Sequence, residues 1–294
     1  MGGGVNDITT VGTQALQALA DMENAEREML QLPQVNCPVV HHFGPNICIR
    51  EVFMPAGTLA IGHKQKFEHM NIMLRGKVMV IDDAGATQIL TAPLIFVGKP
   101  GRKIGYVLED MVWQNVYSTD LKDIDAVEST FLEKSENWQD DQAAKFKVAQ
   151  IERIADRLDY EALLQECGIS DETARQQSED ESDQVWLDVG IVRVTDSPIE
   201  GKGLFATAPI LAGSVICPAR VNGLRTQAGR YTNHSVNPNA VMVPTDMGDI
   251  NLVALRDIAG CVGGGLGEEI TIDYRAALQL SGIEFNRQEA LCQA

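Results

Sequence analysis

Gly229-Arg230-Tyr231-Thr232-Asn233-His234-Ser235, continued by Val236-Asn237-Pro238-Asn239, and then Gly267-Glu268-Glu269-Ile270-Thr271-Ile272-Asp273-Tyr274 decide how the C-terminal third of the chain is read. The second stretch follows a glycine turn with Ile and Thr in alternation, a strand-forming run that ends on a tyrosine. Upstream, Gly201-Lys202-Gly203-Leu204-Phe205-Ala206 supplies two glycines where backbone can approach a neighbouring group with no side chain between them. A lone G-x-G usually marks a turn, but three such motifs in this order are far more specific.

The rest of the chain bounds what these motifs can belong to. With 294 residues it is longer than one average core needs, so two domains are expected. Hydrophobic residues make up 45% and charged residues 22%, a globular composition. The formal net charge is −17, of which −14 falls before Val185. Such a chain repels phosphate backbones, which argues against nucleic-acid binding. A basic, Lys-containing protein surface is the partner this charge would attract, although the same charge also serves simple solubility. Six scattered cysteines form no C-x-x-C pair and read as reduced thiols, which points to a cytoplasmic setting. The first residues, Met1-Gly2-Gly3-Gly4-Val5-Asn6, lack a signal-peptide pattern, and no apolar stretch approaches a membrane span, so no membrane partner is expected.

The predicted fold class is mainly β with helical segments. Residues 1–35 read as an N-terminal helical segment, with a helix over Thr13–Leu32 stopped by Pro33. Residues 36–120 read as a small β-barrel, with runs at Cys48–Met54, Thr58–Ile61, Asn71–Ile81, Gln88–Val97 and Gly105–Tyr117 and a turn at Asp82-Asp83-Ala84-Gly85. Residues 121–184 form a connector. In it, Phe146, Val148, Ile151, Ile154, Leu158 and Leu163 recur at helical spacing over Asp140–Cys167, and Gly168 offers a stop. Ser178-Glu179-Asp180-Glu181-Ser182-Asp183 has nothing apolar to bury and reads as a solvated acidic linker, which puts a boundary near Ser170–Gln184. Residues 185–294 are the last domain.

The three C-terminal motifs, over about Trp186–Ser281, closely resemble those of SET-domain lysine methyltransferases. The resemblance implies S-adenosylmethionine as cofactor. It assigns Gly201, Lys202, Gly203, Leu204, Arg230, Asn233, His234 and Tyr274 to the cofactor pocket, His234 through its main chain, with Tyr274 and Tyr231 as the candidate catalytic residues. A lysine amine must enter such a site deprotonated, because a proton would leave it no lone pair and a second positive charge beside the sulfonium. Only 24 residues separate Phe205 from Arg230, a short stretch for that family, and Val236 stands where the family commonly has cysteine. The cofactor side is therefore better supported than the substrate side.

Gly62-His63-Lys64-Gln65-Lys66-Phe67-Glu68-His69, seven residues before Gly76, looks like the first motif of the cupin family, and Pro100-Gly101 with Asn115 resembles the second. The resemblance implies a jelly-roll barrel in which His63 and His69 are the candidate metal ligands, joined by a helix and the acidic linker to a SET-like β fold. Arg102 and Lys103 stand where a last histidine ligand is expected, so the metal set is incomplete and metal binding is not expected. Cupin-like and SET-like domains joined in one chain look similar to bacteriophage-encoded proteins. Two functions follow: a SAM-dependent protein-lysine methyltransferase with a scaffold barrel, or a non-catalytic structural or virion-associated protein built from eroded folds, in a homo-oligomer or larger assembly. A barrel acting on small molecules or sugars is a third.

Overall fold

The computed structural model describes residues 22–82, 87–180, 182–187 and 189–280. Leu16 and Leu19 of the expected first helix, the centre of the Asp82–Gly85 turn, and the chain after Leu280 lie outside the described residues. The chain divides into two compact units. One comprises Met1–Lys147, Thr207–Pro209 and Gly260–Gly267; the other comprises Val148–Ala206, Ile210–Ala259 and Glu268–Ala294. The boundary expected near Ser170–Gln184 lies inside the second unit.

In the first unit, α1 (Met22–Leu30) leads into β1 (Val39–Gly44), β2 (Ile47–Met54), β3 (Leu59–Ile61), β4 (Lys64–Gln65), β5 (His69–Asp82), β6 (Thr87–Thr91), β7 (Leu94–Gly98) and β8 (Lys103–Tyr117). Then come α2 (Ile124–Phe131), β9 (Leu132–Glu133) and α3 (Glu136–Glu152). Seven strands make one antiparallel sheet in the order β1-β2-β8-β5-β6, with β3 also on β8 and β7 also on β5; β4 pairs with β9. The run predicted over Gln88–Val97 is two strands, because Pro93 has no N–H to give to a ladder.

The long strands β5 and β8 pair from Met70↔Val116 to Asp82↔Lys103, and each serves shorter neighbours along its two halves. Register shifts between Met73 and Val78 change the parity of the inward residues. His69, Asn71 and Met73 face the interior before them, and Val78 and Val80 after. Gly76 sits at the shift with φ +92°, and a Cβ there would lie 2.4 Å from the carbonyl oxygen of Asp110 and 2.6 Å from Cα of Met111. Only glycine meets both demands. The sheet thereby folds over an interior formed by Met73, Val78, Val80, Leu90, Val107 and Met111.

The second unit begins at Val148, within α3, and continues with α4 (Ile154–Cys167) and α5 (Asp171–Glu179). The helix predicted as continuous over Asp140–Cys167 breaks at Arg153, and Gly168 ends α4 in the left-handed conformation, φ 67°. Most of the periodic apolar stripe is not the packed face: Leu163 is buried, but Val148, Ile151, Ile154 and Leu158 are 56%, 68%, 49% and 59% exposed, whereas Asp156 is buried. The expected solvated linker is also partly structured. Ser170 caps α5 through a hydrogen bond from the Thr173 N–H (3.1 Å), and Arg225 grips Asp183 with two hydrogen bonds of 2.8 and 2.9 Å.

The strands of this unit are β10 (Val192–Asp196), β11 (Lys202–Ala206), β12 (Val215–Val221) and β13 (Leu224–Arg225), then, after the short helix α6 (Gln227–Tyr231), β14 (Asn233–His234), β15 (Ala240–Pro244), β16 (Ile250–Ala254) and β17 (Glu269–Ile272), before α7 (Tyr274–Gln279). They form two four-stranded sheets, β10-β11-β17-β14 and β13-β12-β16-β15. Both contribute to one core that includes Leu204, Ala206, Ala219, Ala240, Leu252, Ile270 and Ile272. Among the described residues no helix is long and apolar enough to cross a membrane.

Gly76→Ala should lower the unfolding free energy by at least about 2 kcal/mol, since the new methyl overlaps backbone that cannot rotate away. Gly57→Ala is the matched control, with φ +84° and open space around its Cβ, and should cost about 1 kcal/mol. Urea denaturation of the two variants measures the difference.

Candidate functional site

In the second unit the three motifs become neighbours through one strand. β17 lies between β11, its antiparallel partner (Leu204↔Ile270), and β14, its parallel partner (Asn233↔Thr271, His234↔Ile272). Gly201–Ala206, Asn233-His234 and Glu269–Tyr274 therefore meet side by side. Asn239 ties the arrangement together: its Nδ2 donates to the Glu269 carbonyl (2.8 Å) and its Oδ1 accepts from the Thr271 N–H (2.8 Å). This is the two-bond pattern that a neighbouring strand residue would make, and it requires a side chain with one donor and one acceptor.

Most polar groups of the second motif are engaged within the chain. Asn233 Nδ2 donates to the carbonyls of Glu200 (3.2 Å) and Lys202 (3.1 Å) and to Glu269 Oε1 (2.8 Å); among the described residues its Oδ1 has no hydrogen-bond partner. His234 is buried. Its Nδ1 accepts the Tyr274 N–H (3.1 Å), so the ring proton is on Nε2, which donates to Asp159 Oδ2 at 2.7 Å. Ser235 Oγ donates to Asp156 Oδ1 (2.8 Å), which also accepts the Val236 N–H (2.9 Å). Arg275 binds Asp159 (2.6 Å) and Glu166 (2.9 and 3.0 Å). Burial would raise the Asp159 carboxyl, but the hydrogen bonds from Arg275 and His234 outweigh it and hold the group below its ordinary range.

Glu269 is the buried carboxyl group at the centre. Its Oε1 accepts from Ser197 Oγ (2.7 Å) and from Asn233, while its Oε2 is shielded from solvent with no partner among the described residues. Burial pushes its carboxyl up, and the bonds from Asn233 and Ser197 only partly oppose that. Gly203 is glycine because of this carboxylate, as a Cβ there would lie 2.3 Å from Oε1. Gly201, with φ +52°, has open space where a Cβ would point.

Tyr274 donates its hydroxyl to the Thr232 carbonyl (2.9 Å), and its ring meets that of Tyr160 edge-on at 5.9 Å. Burial, with Tyr160 and Glu269 nearby, pushes the phenol well above its ordinary range, so it remains neutral. Of the other expected site residues, Leu204 is wholly in the core and offers only backbone; Lys202 extends to Asp196 (2.8 Å); Arg230 lies over the Tyr231 ring, 4.9 Å from its centroid, and bonds to Gln184. Asp159, Tyr160, Ser197 and the buried role of Glu269 were not legible in the sequence, since no motif joins them.

The first unit encloses a cavity of about 440 Å³. His63 and His69 both line it, yet their donor set does not fit a metal. His69 Nδ1 bonds to the Phe67 carbonyl (3.0 Å) and its Nε2 accepts from Asn115 Nδ2 (3.3 Å), leaving neither lone pair open. Among the described residues no three histidine, cysteine or carboxylate side chains are grouped to hold an ion. Arg102, at the expected position of a last ligand, forms an ion pair with Glu26 (2.5 Å).

No protein-family model matches the sequence, and no curated protein matches it. Solved structures similar to parts of it are cupin-superfamily proteins. They include one from Desulfitobacterium hafniense (8% identity, 32% of this chain, 87% of that one, TM-score 0.25) and the cupin domain of Schizosaccharomyces pombe Cnp3 (16%, 35% and 76%, 0.25). A third is an RmlC-like cupin with a double-stranded β-helix fold from Methanocaldococcus jannaschii (11%, 29% and 80%, 0.25). Each likeness covers only a small part of the chain and says nothing of what the chain does.

Asn239→Ala should destabilise the second unit by about 3 kcal/mol, because it strands a buried carbonyl and a buried N–H at once. Chemical denaturation measures this, and a loss within experimental error of zero would mean that β17 does not depend on the Asn239 bracket.

Proposed function

We propose that the C-terminal unit is a SET-like domain that binds S-adenosylmethionine and methylates a lysine of a protein with a basic surface. The observation that carries this reading is the position of β17 between β11 and β14, which makes neighbours of Gly201, Asn233, His234 and Tyr274. The electronegative groups there suit a cation: the open Asn233 Oδ1, the buried Glu269 carboxylate and the Tyr274 phenol oxygen.

The bound cofactor would supply an activated methyl group. The protein's part is alignment. The Tyr274 hydroxyl, fixed as donor to Thr232, keeps lone pairs with which to accept from an amine N–H. The site would hold a neutral amine facing that methyl group, and the surplus proton of the product would pass to solvent. Because the phenol stays neutral, it orients the amine and does not act as a base.

A second reading is favoured by a different observation: the Asn233 Nδ2 group, both nitrogens of the His234 ring and the Tyr274 hydroxyl proton are engaged within the chain. They would then be struts of a non-catalytic scaffold or virion component. Calorimetric titration with S-adenosylmethionine separates the two. The enzyme reading expects a micromolar Kd. It also expects Tyr274→Phe to lower methyl transfer to a lysine peptide by about a hundredfold with little change in Kd. A flat isotherm with the folded protein favours the scaffold.

A further inference from the structure

The lone pairs of His69 are committed, and the charges around the cavity of the first unit act in the same direction against a metal ion. Burial, foremost, pushes the His63 ring down to about 4, and Arg50, Lys134 and Arg102 add to it against the opposing Glu128. Burial likewise lowers His69, and Lys103 adds to that. Glu26 is matched by Arg102, and Glu128 by Arg50 (3.4 Å) and Lys134 (3.1 Å). Lys103 lines the cavity in addition to these matched pairs. The balance at this end is positive, which repels a divalent cation and attracts an anion.

Two hydrogen-bonding atoms at the same end are shielded from solvent and have no partner among the described residues: His63 Nδ1 and Trp138 Nε1. Their rings meet edge-on at 4.9 Å, and both residues line the cavity. Trp138 Nε1 can only donate, and a neutral histidine nitrogen can donate when it carries the proton. Another part of the lining is apolar, with Val78, Val80, Val107 and Met111 facing inward. A volume of about 440 Å³ falls within the range of small-molecule pockets.

We infer that this cavity is a metal-independent binding site for a small organic carboxylate, with its anionic head at His63, Trp138 and Lys103 and its apolar body against Val78, Val80, Val107 and Met111. It is separate from the methyl-transfer reading and stands whether or not that reading holds.

The test is calorimetry on the full chain after chelator treatment, with 2-naphthoate, benzoate and octanoate as probes and 2-naphthalenemethanol as the uncharged counterpart. At least one carboxylate should bind one-to-one with a Kd below about 1 mM. The uncharged analogue should bind at least about tenfold more weakly than 2-naphthoate. Trp138→Phe keeps the ring and removes the N–H, and Lys103→Met keeps the aliphatic stem. Each should weaken carboxylate binding about tenfold or more in protein whose circular dichroism is unchanged. Zinc chloride should neither bind the cavity nor alter carboxylate affinity. Equal affinity for 2-naphthoate and its alcohol would overturn the proposal. So would failure of all three carboxylates, or tight zinc binding lost in a His63→Phe variant.

Discussion

Four residues, Glu269–Ile272, must be shared. β17 is the only described strand that touches both β11 and β14, and everything specific about the second unit depends on that double pairing. A parallel pair two residues long has little strength of its own. Asn239 compensates by gripping the same backbone, and the His234 ring does so by accepting the Tyr274 N–H just beyond the strand. The residues that mark the motif are thus the residues that hold it together. That dual use explains why side chains expected to face a ligand are engaged within the chain.

The second consequence concerns α4. An apolar stripe at helical spacing normally marks the buried face, but here the packed face presents Asp156, Asp159 and Tyr160 to the Asn233–Val236 segment and Tyr274. Burying carboxylates is costly unless donors meet them. Ser235, the Val236 N–H, His234 and Arg275 do so. Hydrogen bonding, more than apolar burial, selects the orientation of this helix.

These two features mark how far the sequence could be read. Strands between Cys48 and Tyr117 were legible because β-forming runs alternate with turn residues. β1 was missed because His41-His42 interrupts its apolar pattern, and the split at Pro93 turned one expected strand into two. The periodicity of α4 identified a helix correctly but, apart from Leu163, its packed face wrongly, since a single sequence gives no sign of which partners will satisfy Asp156 and Asp159. In the site, the motif carried Gly201, Asn233, His234 and Tyr274 as a group. The buried carboxylate of Glu269 was hidden because its partners Ser197 and Gly203 reach it only through the folded sheet. The SET-like and phage-related resemblances rest on the motifs alone.

Hydrogen–deuterium exchange in the presence and absence of S-adenosylmethionine tests most directly whether the shared strand builds a ligand site. Convergence of the motifs on one ligand predicts slowed exchange in three separated peptides at once, those containing Gly201–Leu204, Thr232–Ser235 and Ile270–Tyr274. Exchange that is unchanged in all three, or slowed only in the first unit, would contradict it.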